Sequence, residues 1–355
     1  MDRLLRGEQG EFWYYGKSAL DRYEKNKPRI VSVATTAGLG ELARSFDDLF
    51  FPGLEGYDGA AVLDGVTFIF KSVDSFSQIP SFSLSPFNLI YSVGEDRFID
   101  REGEYERLRS GGFEGDPRTA ADWEELIRLA AWSDKVDLTS YFQNELPSPL
   151  FRERNRFFLE DILTGPRAEG ALAFLKETGW IKAQFPALDV LSTVVQDKEF
   201  HPEGNVWEHT LETLKYRKER PMNLSLGLLF HDLGKGSAQE VGGNRFNGHA
   251  QIGARQLRSI FEDWNLPEIL LGETIYLVEN HMMPAAIDRL PYHKKKDVIE
   301  DPLFPLLLEL YRCDLSSSFN GLDGYYNACR HYKSFKKNVQ NPYRQADGSL
   351  KRGAS

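Results

Sequence analysis

The hydrophobic period changes once along this chain, and that change limits the folds open to it. Up to about residue 110, short apolar runs (FWYYG at 12–16, RIVSVATT at 29–36, AAVLD at 60–64, VTFIF at 66–70, NLIYS at 88–92) are punctuated by Gly, Asp, Ser and Pro, the pattern of strands and turns. Between them, 18–25 and 39–49 carry apolar residues at helical spacing, so this half reads as a small mixed α/β unit. After Gly111, Gly112 and Gly115 the period becomes 3.6. Segments 119–132, 151–163, 166–178, 206–219, 223–233, 249–263, 267–281 and 302–318 each place apolar side chains on one face. Asn223 reads as a helix cap, Gly234 as a helix stop and Pro267 as a first-turn proline. The expected class is α+β: a small mixed α/β head over 1–115, an all-α connector over 116–195, an all-α bundle over 196–325 and a basic tail over 326–355.

Composition excludes several classes. A chain of 355 residues with 41% hydrophobic residues and 24 Phe has enough apolar material for real cores, which rules out wholesale disorder. No run approaches the roughly 18 apolar residues of a membrane span, and the start lacks the apolar core of a secretory signal. Two cysteines, Cys313 and Cys329, make no disulfide framework, and a cytoplasmic location without a membrane partner is expected. The net charge of −10 argues against a protein devoted to non-specific nucleic-acid binding. Arg330 to Arg352 is locally basic, with Tyr332, Phe335 and Tyr343 interleaved; it reads as a frayed, solvated terminus able to touch a phosphate backbone.

All seven histidines fall at residue 201 or later, so imidazole ligands are confined to the helical half. His209, His231 with Asp232, His249, His281 and Asp314 fall on five successive helical segments, one ligand position per segment. A bundle interior is where such side chains converge on a metal, and mixed imidazole and carboxylate donors suit divalent first-row ions. A lone buried histidine is more often a satisfied core residue, and His293 and His331 are read that way. The doublet resists that reading, because FHDLGKG sets two polar groups directly after LSLGLLF, and burying an unpaired Asp costs several kcal/mol.

His209, His231-Asp232 and Asp314 resemble the H…HD…D pattern of the HD-domain metal-dependent phosphohydrolases. QDKEFHPEGNVWEHT at 196–210, HDLGKG at 231–236, GHAQIGA at 248–254 and LTGPRAEGALAFLKETGWIKAQFPAL at 163–188 resemble bacterial tRNA nucleotidyltransferases, the CCA-adding enzymes and their poly(A) polymerase relatives. The resemblance implies one or two divalent ions (Ni, Mn, Co, Fe, Zn or Mg) on His209, His231, Asp232 and Asp314, with Asp232 bridging and His249 and His281 either ligating the second ion or contacting phosphate. It implies Asp232 and Lys235 as catalytic residues, Lys235 as a phosphate contact, its alternative being a solvated lysine at a helix C-terminus. His201 and Glu203 remain rim or turn residues.

The same resemblance reaches the head, where a glycine turn and a strand with paired carboxylates hold magnesium in the family. YYGKSALD at 14–21 and PRIVSVATT at 28–36 resemble that text, yet Ile30 and Ser32 occupy the carboxylate positions and the third strand offers Phe68, Ile69 and Phe70. SFSLSPFNLIYS has Ser85 where the family has Asn, and ADWEELIRLA fits the nucleotide-template motif in two registers, Glu124, Glu125 and Arg128 or Asp122. Magnesium needs anionic oxygen ligands, so a degenerate nucleotidyltransferase-like head is expected. These readings combine into an expected metal-dependent phosphohydrolase, a phosphomonoesterase or 2′,3′-cyclic phosphodiesterase acting on nucleotides or RNA ends, tRNA among them, with nucleotidyl transfer lost. The alternatives are a non-catalytic RNA-binding or regulatory protein with a structural metal, and nucleotidyl transfer surviving through Asp58, Asp64 or Asp74.

Overall fold

The computed structural model describes residues 5–6, 9–110, 113, 115–152, 154–195, 204–238, 246–319 and 321–351. The chain separates into two compact units, Met1–Trp180 and Ile181–Ser355. The class is α+β as expected: a six-stranded sheet accompanied by many helices.

In the first unit the strands are β1 Phe12–Tyr14, β2 Ile30–Thr35, β3 Gly59–Leu63, β4 Val66–Ser72, β5 Ile90–Ser92 and β6 Arg97–Ile99. Their order is β3-β4-β2-β1-β5-β6, with β2 and β4 parallel and the other pairs antiparallel. Side chains alternate across the sheet, so Val31, Val33, Phe68 and Phe70 enter one core while Ile30 and Ile69 enter a second with Ala60 and Phe157. The helices are α1 Lys17–Glu24, α2 Leu39–Ser45, α3 Glu104–Ser110, α4 Ala120–Ala130, α5 Ser148–Arg152, α6 Arg156–Thr164 and α7 Ala168–Glu177. The segment read as one helix over 151–163 is two, α5 and α6, because Asn155 caps α6 by accepting from the N–H groups of Phe157 and Phe158.

The charged residues of α4 take structural roles. Asp122 closes a capping box with Thr119 and accepts from Ser83. Glu125 and Arg128 turn inward to a buried network: Arg128 meets Glu125 at 2.6 Å and Asp161 at 2.8 Å, and Lys17 meets Asp21 at 2.6 Å and Asp161 at 3.3 Å. The Lys17 N–H also donates to the Glu125 carboxylate, so α1, α4 and α6 are tied together.

Glu160 on α6 gives the first unit a pH dependence. Burial pushes its carboxyl up to about 7, against the pull of Arg156 and Arg29. The folded state thus binds this proton more tightly than the unfolded chain. The stabilisation is full below the unfolded carboxylate range, near pH 4.5, and is lost as pH rises through 7. Glu160→Gln is expected to flatten that slope and gain about 1–2 kcal/mol at pH 8, partial exposure discounting the ideal figure. Denaturant melts at pH 5 and pH 8 that keep the wild-type difference would refute it.

The second unit begins within α8 Trp180–Gln184 and continues through α9 Pro186–Asp189, α10 Val206–Lys215, α11 Met222–Phe230, α12 His249–Ile260, α13 Glu268–Asn280, α14 Met283–Ala286, α15 Tyr292–Glu300, α16 Phe304–Ser316 and α17 Asp323–Gln340. Helix α11 is apolar and buried on all sides from Leu224 to Phe230, Ser225 excepted as a polar residue, as a central helix must be. Phe185, Phe230, Phe261 and Trp264 stack into an aromatic cluster. Three readings are corrected here. Asn223 lies inside α11, bonding Glu273 instead of capping. Gly234 lies in a short 3-10 turn, Leu233–Gly236, after the helix has ended at Phe230. The first part of the basic tail, to Gln340, is helical as α17, anchored by Ala328 and Phe335.

The two thiols differ in environment. Burial pushes the Cys313 thiol up to about 12, whereas Cys329 is half-buried. An aromatic disulfide reagent at pH 8 is expected to titrate Cys329 quickly and Cys313 only on unfolding. Two fast thiols would contradict this.

Candidate metal centre

The ends of α11, α12 and α13 deliver four of the six site residues. His231 follows the last residue of α11 and Asp232 follows it in turn; His249 opens α12; His281 follows the last residue of α13. His209 projects from α10, whose start is capped by Asn205, and Asp314 from the last turn of α16. Close packing makes this convergence possible. A Cβ on Gly234 would lie 2.0 Å from the His249 carbonyl oxygen, and one on Gly253 would lie 3.0 Å from the Gly234 nitrogen, so these glycines let the Asp232 turn seat on α12.

The structure brings all six residues together. Asp232 is central: its Oδ2 lies 3.3 Å from His231 Nε2 and 4.0 Å from His209 Nε2, and its Oδ1 lies 3.4 Å from His249 Nε2 and 3.9 Å from His281 Nε2. His209 Nε2 is 3.0 Å from Asp314 Oδ1. The donors fall into two groups able to hold a metal, His209 with His231 and Asp314, and Asp232 with His249 and His281.

Backbone carbonyls set the tautomers. A carbonyl oxygen only accepts, so the Nδ1 atoms of His231, His249 and His281 carry hydrogen and donate to Leu228, Phe246 and Val278 at 2.8, 2.8 and 2.7 Å. The Ser317 hydroxyl gives its hydrogen to the Asp314 carbonyl at 2.6 Å, so its oxygen accepts from His209 Nδ1 at 3.2 Å. The Nε2 atoms of His231, His249 and His281 therefore turn lone pairs inward, while His209 Nε2 donates to the Asp314 carboxylate at 3.0 Å. His249 and His281 oppose theirs at 3.0 Å, and buried His231 Nε2 makes no hydrogen bond. Each uncompensated buried polar atom costs about 1–3 kcal/mol, so the arrangement calls for a cation at its centre. Neutral imidazole and carboxylate are the donors that divalent transition ions prefer, and the residues present fit such an ion.

Charge distribution agrees. Burial pushes the Asp232 carboxyl up, but the Lys235 ammonium is the largest influence against it, and Asp232 is held well below the usual carboxylate range. Burial likewise raises Asp314, and His209 more than reverses this. Burial pushes His281 down to about 4, keeping it neutral. Lys235 points at Asp232 Oδ2, 2.7 Å away, which excludes the solvated-lysine alternative.

Other expected residues lie elsewhere. His293 is exposed on α15, not a core residue, and His331 lines a cavity with Tyr292 and Lys295. His201 and Glu203 fall outside the described residues. Ser317 and Gly253 support the site without having been singled out, and Gly234 was read only as a helix stop, since their roles arise from contacts between helices. Within the first unit, a cavity of about 370 Å³ is lined by Tyr15, Tyr57, Phe82, Glu55, Glu124 and Lys71 among others. Ile30 and Ile69 are sealed under Phe157, and Ser32 is buried opposite Ile69 in the register. Asp58 accepts from the Ser72 N–H, Asp64 sits in the β3–β4 turn, and Asp74 bonds Gln78.

No protein-family model matches the chain. It is 34% identical over 152 residues to the CC-adding tRNA nucleotidyltransferase of Thermus thermophilus, a match covering 41% of this chain and 33% of that protein. It is 25% identical over 191 residues to the multifunctional CCA protein of Pseudomonas fluorescens, covering 53% of this chain and 41% of that one. The matched stretches thus span only a third to two fifths of these relatives. Among solved structures, the Bacillus stearothermophilus CCA-adding enzyme in complex with CTP aligns with 96% of this chain and 83% of its own, at 16% identity and a TM-score of 0.47. Among the described residues no helix is long and apolar enough to cross a membrane.

These matches overturn one expectation. The relatives are tRNA nucleotidyltransferases, not phosphohydrolases, so the reading of a phosphohydrolase that has lost nucleotidyl transfer is withdrawn. Over the matched part of its length, the chain is homologous to the CCA-adding tRNA nucleotidyltransferases, which are enzymes of tRNA processing.

Proposed function

We propose that the protein acts in the cytoplasm at the 3′ end of tRNA, the RNA named for its relatives, and holds one or two divalent metal ions on His209, His231, Asp232, His249, His281 and Asp314. The observation that carries the metal is the convergence of the Nε2 lone pairs of His231, His249 and His281 on Asp232, whose Oδ1 faces His249 of its own group and whose Oδ2 faces His231 of the other. The tRNA end rests on the 34% identity with a CC-adding enzyme. When bound, the ion supplies Lewis acidity and neutralises nearby anionic oxygens. Lys235 and the buried Asp232 set the charge next to it, and the Nδ1–H bonds to backbone carbonyls fix the ligand rings.

Nucleotide addition, the reaction in the relatives' names, would have to draw on acids away from the sealed faces of β2 and β4. In the first unit Glu55 and Glu124 line the cavity beside Tyr15 and Phe82.

The RNA reading is tested with tRNA lacking its final CCA, the same tRNA blocked at its 3′ end, and an unrelated hairpin. Nucleotide incorporation from CTP and ATP is scored in the same samples. Tighter binding of the open-ended tRNA is expected. Equal affinity for all three, with no incorporation, would overturn the proposal.

A further inference from the structure

A chain with a net charge of −10 repels RNA at long range, so any RNA contact must come from a local positive surface. Helix α17 provides one. Its buried side carries Ala328 and Phe335, and Tyr332 packs at a tilt against Phe304 with ring centroids 4.9 Å apart, so packing fixes which face looks outward. The outward stripe is Tyr326, Arg330, Lys333 and Lys337, at steps of four, three and four residues, all exposed, with Lys336 beside them. The only acid in the helix is Asp323, in its first turn. Among the described residues none of these four cations forms an ion pair.

We propose that this outward face of α17 is a contact surface for the phosphate backbone of RNA. Arg330 to Lys337 spans about 10 Å at 1.5 Å per residue, which matches about three phosphates along one strand of a duplex. Tyr326, 55% exposed at the N-terminal end of the stripe, offers an aromatic face for an unpaired base. A membrane surface fits less well, because a helix lying on lipid presents a row of apolar residues beside its cations, and here Ala328 and Phe335 are buried in the protein and Val339 is the one exposed aliphatic side chain of the helix. The proposal rests on the reading that this protein meets RNA, but the surface is distinct from the metal centre and reads backbone charge, not a 3′ end.

The test is the full-length variant Arg330→Gln/Lys333→Gln/Lys337→Gln, compared with a charge-preserving control, Arg330→Lys/Lys333→Arg/Lys337→Arg. Fluorescence anisotropy is followed across about 50 to 200 mM salt with open-ended tRNA, 3′-blocked tRNA and vesicles containing phosphatidylserine. The glutamine variant should bind both RNAs roughly 10- to 100-fold more weakly at low salt, and its log–log salt slope should fall by about two to three. The control should retain wild-type affinity, and metal content and thermal midpoint should be unchanged in both. Unchanged RNA affinity and slope in the glutamine variant would overturn the proposal and leave the tRNA-end reading standing. Equal loss on RNAs that wild type does not distinguish by their 3′ ends would support the stripe and sink the tRNA-end reading. Wild-type binding to vesicles but to neither RNA would overturn both.

Discussion

Replacing Arg128 with Met is expected to lower the stability of the first unit by about 3–5 kcal/mol, the usual result of removing one partner from a buried ion network. Three carboxylates, Asp21, Glu125 and Asp161, share two cations, Lys17 and Arg128, with almost no solvent. The balance is already short of positive charge. Burial pushes the carboxyls of Asp21 and Glu125 up despite the nearby Lys17 and Arg128. Without Arg128, Glu125 and Asp161 lose their 2.6 and 2.8 Å contacts and must protonate or open the interface of α1, α4 and α6. Guanidinium melts followed by tryptophan fluorescence read the loss. Adding Glu125→Leu to the variant should recover part of it, since the orphaned charge, not the missing side chain, is the main cost. A loss below about 1 kcal/mol would show that water already screens the network.

Gly234→Ala should be nearly as damaging, and in the second unit. The added methyl would meet the His249 carbonyl oxygen at 2.0 Å and the Gly253 nitrogen at 2.7 Å, atoms of the backbone that cannot swing aside. Either the turn carrying Asp232 and Lys235 lifts from α12 or the start of α12 moves, and each separates Asp232 from His249. A loss of about 3 kcal/mol is expected, together with weakened metal retention. Retained metal and unchanged stability would mean that the contact between turn and helix is looser than the structure has it.

The two halves of the molecule were unequally legible in the sequence. The period change at the 111–115 glycines separates strands from helices because binary patterning is local, and the strand runs at 29–36 and 66–70 became β2 and β4. His209, the 231–232 doublet, His249, His281 and Asp314 stood out because polar residues interrupted apolar helices, and the structure gathers those six. Helix α17 was missed, since only Ala328 and Phe335 are buried among many cations and its order depends on packing against other helices. The roles of Lys17, Glu125 and Arg128 were invisible for a related reason: a charged residue gives no local sign that a partner more than thirty residues away will bury it. The motif suggested hydrolysis, and the relatives, which are tRNA nucleotidyltransferases, overturned that reading, because a ligand set specifies a metal better than it specifies a reaction.

The most direct test of the account is elemental analysis of the purified protein after equilibration with Mn, Ni, Co, Fe or Zn and removal of loose ions, for wild type, His231→Ala and Asp232→Ala. One to two equivalents of a divalent ion are expected in wild type, less than a tenth of that in Asp232→Ala, which removes the carboxylate of one donor group that also faces His231 of the other, and a clear reduction in His231→Ala. No bound metal in wild type under any loading, or equal metal in wild type and Asp232→Ala while both remain folded, would contradict it.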